Sequence, residues 1–229
     1  MTEPPGTTDQ ARPDERTRRE ERSRRDLDRV LLFSDAVFAI AMTLLAIDLR
    51  LPPGNYTDQD LPQALSAMAP EIGAFILSFM VVALFWMGHY RTFRMTVRVE
   101  PRVVTLNFAF LALVALLPFP TSVLAHDGNL GTANAFYGLF VLVTALLSSA
   151  LWIVSLRLGL MAPEITPQIG RAVAIRALAV PAVFAVSIPI AFVNPTAAEI
   201  LWFGSLFVQA ALTRRFHLDI GPGAPQPRG

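Results

Sequence analysis

Ser34, Asp35, Trp86 and His89 are the polar side chains whose types and spacing suggest a built site. Each lies within or at the edge of a long apolar stretch, where a hydrogen-bonding or ionisable group is costly unless it finds a partner. Trp86 and His89 are three residues apart and therefore share a helix face. If their stretch runs antiparallel to the one carrying Asp35, the acid and the imidazole lie at similar depth. Arg29, Ser34, Asp35, Trp86 and His89 can then satisfy one another as a buried network. The alternative is that Trp86 and His89 are ring anchors at a membrane–water interface. In both readings the chemistry is hydrogen bonding, with no nucleophile set against a base.

A second pattern lies in the same first stretch. Ile40, Leu44 and Ile47 recur at i, i+4 and i+7, within about 60° of arc on a helix, and Thr43 borders the stripe. Such a stripe meets lipid, packs on another helix or lines a pore, and periodicity does not separate these uses. Asp48 and Arg50 at the far end either pair with each other or leave Asp48 to draw cations to an outer mouth. Asn107, Thr144, Ser148 and Ser149 read as interhelical glue.

The elements that must hold these groups follow from composition. The chain has 229 residues with 19 basic and 18 acidic side chains, and sixteen of those charges crowd into the first 29 positions. The remainder holds far fewer charges than the roughly one-quarter of an ordinary soluble domain. With a hydrophobic fraction of 53%, it reads as a polytopic membrane protein and not a soluble enzyme. Cysteine is absent, and the three histidines (His89, His126, His217) have no zinc-ligand spacing. Neither a phosphate-cradling glycine loop nor a nucleophile elbow is present, and a net charge of +1 gives no reason to invoke nucleic acid. No cofactor, no resident metal and no catalytic residues are expected.

The predicted fold class is all-α, a polytopic membrane protein with six transmembrane helices. The spans run over about 30–49, 70–90, 102–119, 133–156, 172–192 and 197–212. Pro52-Pro53-Gly54 ends the first, and Pro118 and Pro120 end the third. Pro181 or Pro189 kinks the fifth. Eighteen of the nineteen arginines then fall on one face, with Arg50 alone on the other, so both termini are placed in the cytoplasm. The domain reading is a charged cytoplasmic arm (1–28), a membrane domain (29–215) and a disordered Pro/Gly-rich tail (216–229). The arm alternates charge sign at near-helical spacing, which suits a solvated, partly helical segment.

Arg29, Phe33, Ser34 and Asp35 form R-x-x-x-F-S-D, which continues as A-V-F-A-I-A-M-T-L-L-A-I-D-L through Ile40, Thr43, Leu44, Ile47 and Asp48. This resembles the first helix of the endosomal/lysosomal potassium channel family and its prokaryotic homologues. Phe85-Trp86-x-x-His89 and Asn107 followed by Leu116-Leu117-Pro118-Phe119 are similar to that family in the same order, and the likeness covers about residues 27–215. The resemblance implies a potassium-selective cation channel whose pore is lined by the first helix. A single six-span repeat implies a homotetramer in a prokaryotic plasma membrane, with potassium ions and the bilayer as partners. By matching positions, Ile40, Leu44 and Ile47 are implied as the apolar constriction and Thr43 as an adjacent polar ring. Arg29, Phe33, Ser34, Asp35, Trp86 and His89 are implied as the network that holds the pore helices.

Two rival readings remain open at this stage. The prolines of the fifth span suit a small secondary transporter with a broken helix, although no internal repeat or midplane charge accompanies them. A non-conducting membrane scaffold would use the arginine-rich arm to bind a partner.

Overall fold

A computed structural model describes residues 11–205, with side chains at position 18 and from 21 onward. Within that range the fold is all-α. The helices are α1 (Ala11–Leu45), α2 (Leu61–Ala67), α3 (Ala69–Arg94), α4 (Pro101–Leu116), α5 (Pro118–Asp127), α6 (Gly131–Arg157), α7 (Pro167–Ala177) and α8 (Ala179–Val193). Helical backbone also covers 195–205, called α9 here. The tail 216–229, the start of the arm and the predicted end of the sixth span lie outside the described residues.

Four helical segments are long and apolar enough to cross a membrane: Ala69–Arg94, Pro101–Asp127, Gly131–Arg157 and Pro167–Val193. The second and fourth of these are helix pairs, and both pairings revise the sequence expectation. Pro118 and Pro120 do not end the third span but open α5, which carries it on to Asp127. Proline is tolerated in a helix's first turn, where its missing N–H has no intrahelical partner to lose. Leu117 keeps right-handed helical torsions and its N–H bonds the Val114 carbonyl at 3.2 Å, tightening the joint without stopping the chain.

The fifth span breaks at Leu178, three residues before Pro181, while Pro189 sits inside an unbroken α8. Pro181 has no N–H for the carbonyl four residues earlier, that of Ala177. Ser149 of α6 supplies the missing donor, its hydroxyl lying 2.8 Å from the Ala177 oxygen. A side chain read as glue thus satisfies a carbonyl that lipid could not. The segment also starts earlier than expected. Thr166 caps α7 by accepting from the Ile169 N–H, so Arg171 and Arg176 lie within a helix and not in a loop.

The first helix is longer inward and shorter outward than expected. It runs unbroken through residues 28 and 29, so the charged arm from Ala11 onward is continuous with the apolar part. It ends at Leu45, not near Leu49. Ala46 and Ile47 follow in a tight turn bonded to the carbonyls of Thr43 and Leu44. Arg50 does not pair with Asp48; its Nε donates to the Ile47 carbonyl at 3.0 Å, closing that turn.

Packing centres on α6, which lies most extensively against α8 and also meets α3, α4, α5 and α7. Two close approaches need glycine. A Cβ on Gly131 would come 2.7 Å from the Ala191 carbonyl oxygen, and one on Gly170 would come 2.6 Å from a Leu156 methyl. Gly170 also offers its carbonyl to the Trp152 indole N–H at 3.0 Å. The ends of α3 and α6 are fastened by an isolated bridge between Thr96 and Met161, with Val97 N–H to Leu160 O at 2.9 Å. These two helices therefore end at the same level.

The Gly131 contact is against backbone, which cannot swing away. Gly131→Ala is expected to lower stability by about 1–3 kcal/mol, the scale of overpacking. Gly73→Ala, where a Cβ meets open space, should leave the thermal midpoint of the detergent-solubilised protein unchanged. Equal midpoints for both variants would mean that the α6–α8 approach is not tight.

Candidate functional site

The site is built where α1 wedges between α3 and α4. Ser34, Phe38, Ala41 and Leu45 lie on one face of α1 and are buried. Ser34 donates to the Val30 carbonyl of its own helix at 2.8 Å and accepts from Asn107 Nδ2 of α4 at 3.1 Å. Asn107 Oδ1 in turn lies 2.9 Å from His89 Nε2 of α3. The donors run one way. Asn107 uses its N–H₂ on Ser34, so its oxygen accepts, and His89 must carry its proton on Nε2. His89 Nδ1 is then a lone-pair nitrogen, buried and without a hydrogen-bond partner.

Aromatic rings surround that imidazole. Its centroid is 4.4 Å from Phe93, 5.6 Å from Phe38 and 6.0 Å from Phe110, the last stacked at 11° between planes. Phe85 meets Phe110 edge-on at 5.9 Å. Three helices thus share one hydrogen-bonded chain inside an apolar shell, where each bond is stronger than in water and each loss dearer.

Asp35 and Trp86 form a separate pair on the adjacent, more open side. The Trp86 indole N–H donates to Asp35 Oδ1 at 2.8 Å, and Trp86 stacks on Tyr90 at 5.8 Å. Arg29 is exposed and makes no ion pair with Asp35. Phe33 is half-exposed and meets Phe108 of α4 edge-on at 5.5 Å. The five groups grouped by sequence therefore separate into Ser34 with His89, Asp35 with Trp86, and Arg29 apart. Sequence reasoning left Asn107 among the interhelical glue, yet it is the link between Ser34 and His89. Its signal was a single amide inside an otherwise apolar helix.

The opposite face of α1 is exposed among the described residues. Ile40 is 58% exposed, Leu44 38% and, in the turn beyond, Ile47 50%. Thr43 is exposed between them and donates to the Ile40 carbonyl at 2.8 Å, which leaves its oxygen free to accept. At the outer end, Asp48 borders a small crevice with Glu71, Thr121 and His126. Among the described residues no group of three or more His, Cys, Asp or Glu could hold a metal ion. Nothing in the arrangement aligns a nucleophile with a base.

Asn107→Leu leaves the His89 N–H buried and unpaired, so it is expected to cost about 1–3 kcal/mol. The double variant His89→Phe/Asn107→Leu removes both partners and should recover much of that loss in thermal unfolding. Additive losses would mean that the pair is not an energetic unit.

Residues 29–118 match the family model described as endosomal/lysosomal potassium channel TMEM175. A potassium channel of Streptomyces collinus is 38% identical over 157 residues, which cover 65% of this chain and 74% of that protein. A potassium channel of Chamaesiphon minutus is 33% identical over 129 residues, covering 54% of this chain and 63% of that one. The crystal structure of a lysosomal potassium-selective channel TMEM175 homolog from Chamaesiphon minutus superposes with a TM-score of 0.72 at 25% identity. That superposition covers 81% of this chain and 97% of the other. The matched segment contains α3, α4 and the part of α1 from Arg29 onward, which together carry the hydrogen-bonded chain. The chain belongs to the TMEM175 family.

Proposed function

We propose that this chain is one subunit of a potassium-selective channel, in which four copies surround a pore lined by α1. The observation that carries the reading is the two-sided character of α1. One face is locked into the subunit through Ser34, and the other leaves Ile40, Leu44 and Ile47 exposed among the described residues. Family membership supplies the expectation of potassium conduction, and the relatives named potassium channel support it. In this reading the protein carries six spans in a prokaryotic plasma membrane, with both termini cytoplasmic. α1 supplies the first span and α9 begins the sixth.

The chemistry of such a pore follows from its lining. Four copies of each side chain make stacked rings, with Ile40 and Leu44 ~6 Å apart at the rise of a helix and Ile47 in the turn beyond. Apolar rings of this kind resist wetting and strip part of an ion's water shell, so they set both the gate and the barrier. Thr43 adds a ring of hydroxyl oxygens just beside them, and Asp48 adds negative charge where cations enter. Selectivity then comes from partial dehydration at a narrow apolar neck and not from a carbonyl cage, for which the sequence has no TVGYG-like loop. It should accordingly be modest. Asp35 with Trp86, and Ser34 with Asn107 and His89, hold α1 at a fixed rotation so that the four stripes face one axis. Arg29 and Phe33 extend that support towards the cytoplasmic end.

The test is flux from liposomes reconstituted with purified protein. Potassium should pass well above the level of empty vesicles and faster than sodium. Ile40→Asn should wet the neck, raising total conductance and reducing the preference for potassium. Absence of potassium flux would refute the channel, and unchanged flux in Ile40→Asn would move the constriction elsewhere. Saturable flux coupled to protons would instead support the transporter reading.

A further inference from the structure

A cavity of about 120 Å³ opens on the protein surface between α3, α6 and the α7–α8 joint. It is slightly smaller than the ~150 Å³ apolar cavity known to admit benzene. Leu84 and Gly88 line it from α3, Ser148 from α6, and Arg176, Val180 and Phe184 from the joint. The walls are mainly apolar, with Ser148, Ser149 and Arg176 as the polar side chains among them. The first turn of α8 starts beside Arg176, at the break that Pro181 imposes. Gly88 keeps the passage open, since a Cβ there would touch only Ser148 Oγ, at 3.9 Å.

The same end of the bundle is rich in arginine. Gly88 lies six residues before Arg94 at the end of α3, ~9 Å along the axis. Arg91 follows Leu84 and Gly88 on the same face of α3, is half-buried and has no carboxylate within ion-pair distance among the described residues. Arg157 ends α6 at that level. An apolar slot lined by Arg176, with Arg91 about one turn beyond Gly88 on α3, matches an amphiphile with an anionic head. Water alone would not suit the apolar walls, and a free anion would leave them bare.

We propose that this cavity is a binding site for an anionic phospholipid, with acyl chain against Leu84, Val180 and Phe184 and phosphate towards Arg176 and Arg91. The lipid would brace the α7–α8 joint against α3 and α6. The site is distinct from the proposed pore and requires no ion conduction to be tested.

The experiment is native mass spectrometry of the full-length protein in detergent, titrated with phosphatidylglycerol or with phosphatidylcholine of the same chains. Phosphatidylglycerol should be retained about five-fold better, the scale of one arginine at a lipid headgroup. Gly88→Leu, which fills the slot, and Arg176→Gln, which removes the charge from its lining, should each abolish the preference. Arg102→Gln, away from the cavity, should keep it, and inorganic phosphate should not displace the lipid. Equal retention of the two lipids would overturn the proposal. So would an unchanged preference in both cavity variants, or displacement by phosphate alone.

Discussion

The chain of hydrogen bonds from His89 through Asn107 to Ser34 is the constraint on which the rest of the arrangement depends. In a medium without water, an imidazole N–H, a carboxamide and a hydroxyl must find one another. Once they do, α1 has a single rotation relative to α3 and α4, because Asn107 is within 3.1 Å of Ser34 and within 2.9 Å of His89. The aromatic shell of Phe38, Phe85, Phe93 and Phe110 then packs around that arrangement. Turning α1 by one residue would bury a different set and break the chain. The direction of the Ile40 stripe is a consequence of this lock.

The remaining helices obey the same rule with different partners. At Pro181 and Pro118, where the backbone donor is missing, a neighbouring group replaces it. Ser149 serves the Ala177 carbonyl, and the Leu117 N–H shortens its reach to Val114. A further buried set joins α3, α5 and α6. There the Thr121 hydroxyl lies 2.8 Å from Ser78 Oγ, which is 3.1 Å from the Tyr137 hydroxyl. Trp202 of α9 is tied to Ser187 of α8 by its indole N–H. These polar side chains each join one helix to another. Among the described residues, the face of α1 that carries Ile40, Leu44 and Ile47 is left exposed.

Much of this was legible in the residues, and the limits have physical causes. Length and apolarity located α3 and α6 to within a few positions, because a continuous apolar run of bilayer length has few other solutions. Prolines were recognised as breaks but not in exact place: Pro118 opens a helix, and the break expected at Pro181 falls at Leu178, next to the Ala177 carbonyl that the proline leaves without a backbone donor. The alternating charge of the arm suggested a partly helical segment, but without apolar periodicity it did not show that the helix runs unbroken into the apolar half of α1. The turn at Ile47 was hidden because the helical stripe continues in sequence past the last helical residue. The R-x-x-x-F-S-D motif identified the right helix, but not that Ser34 and Asp35 bond in different directions. Asn107 was indistinguishable from ordinary helix glue, since its partners lie 18 and 73 residues away.

The absence of native cysteine allows the central claim, that the exposed stripe of α1 faces an ion path, to be tested directly. A single thiol at Ile40→Cys can be treated from the aqueous phase with a charged methanethiosulfonate reagent while potassium flux is recorded in liposomes. The account predicts that modification at this position blocks the flux. A thiol at Val186→Cys, exposed on α8, should leave it intact. Flux that is unaffected by complete modification of Ile40→Cys would contradict the account.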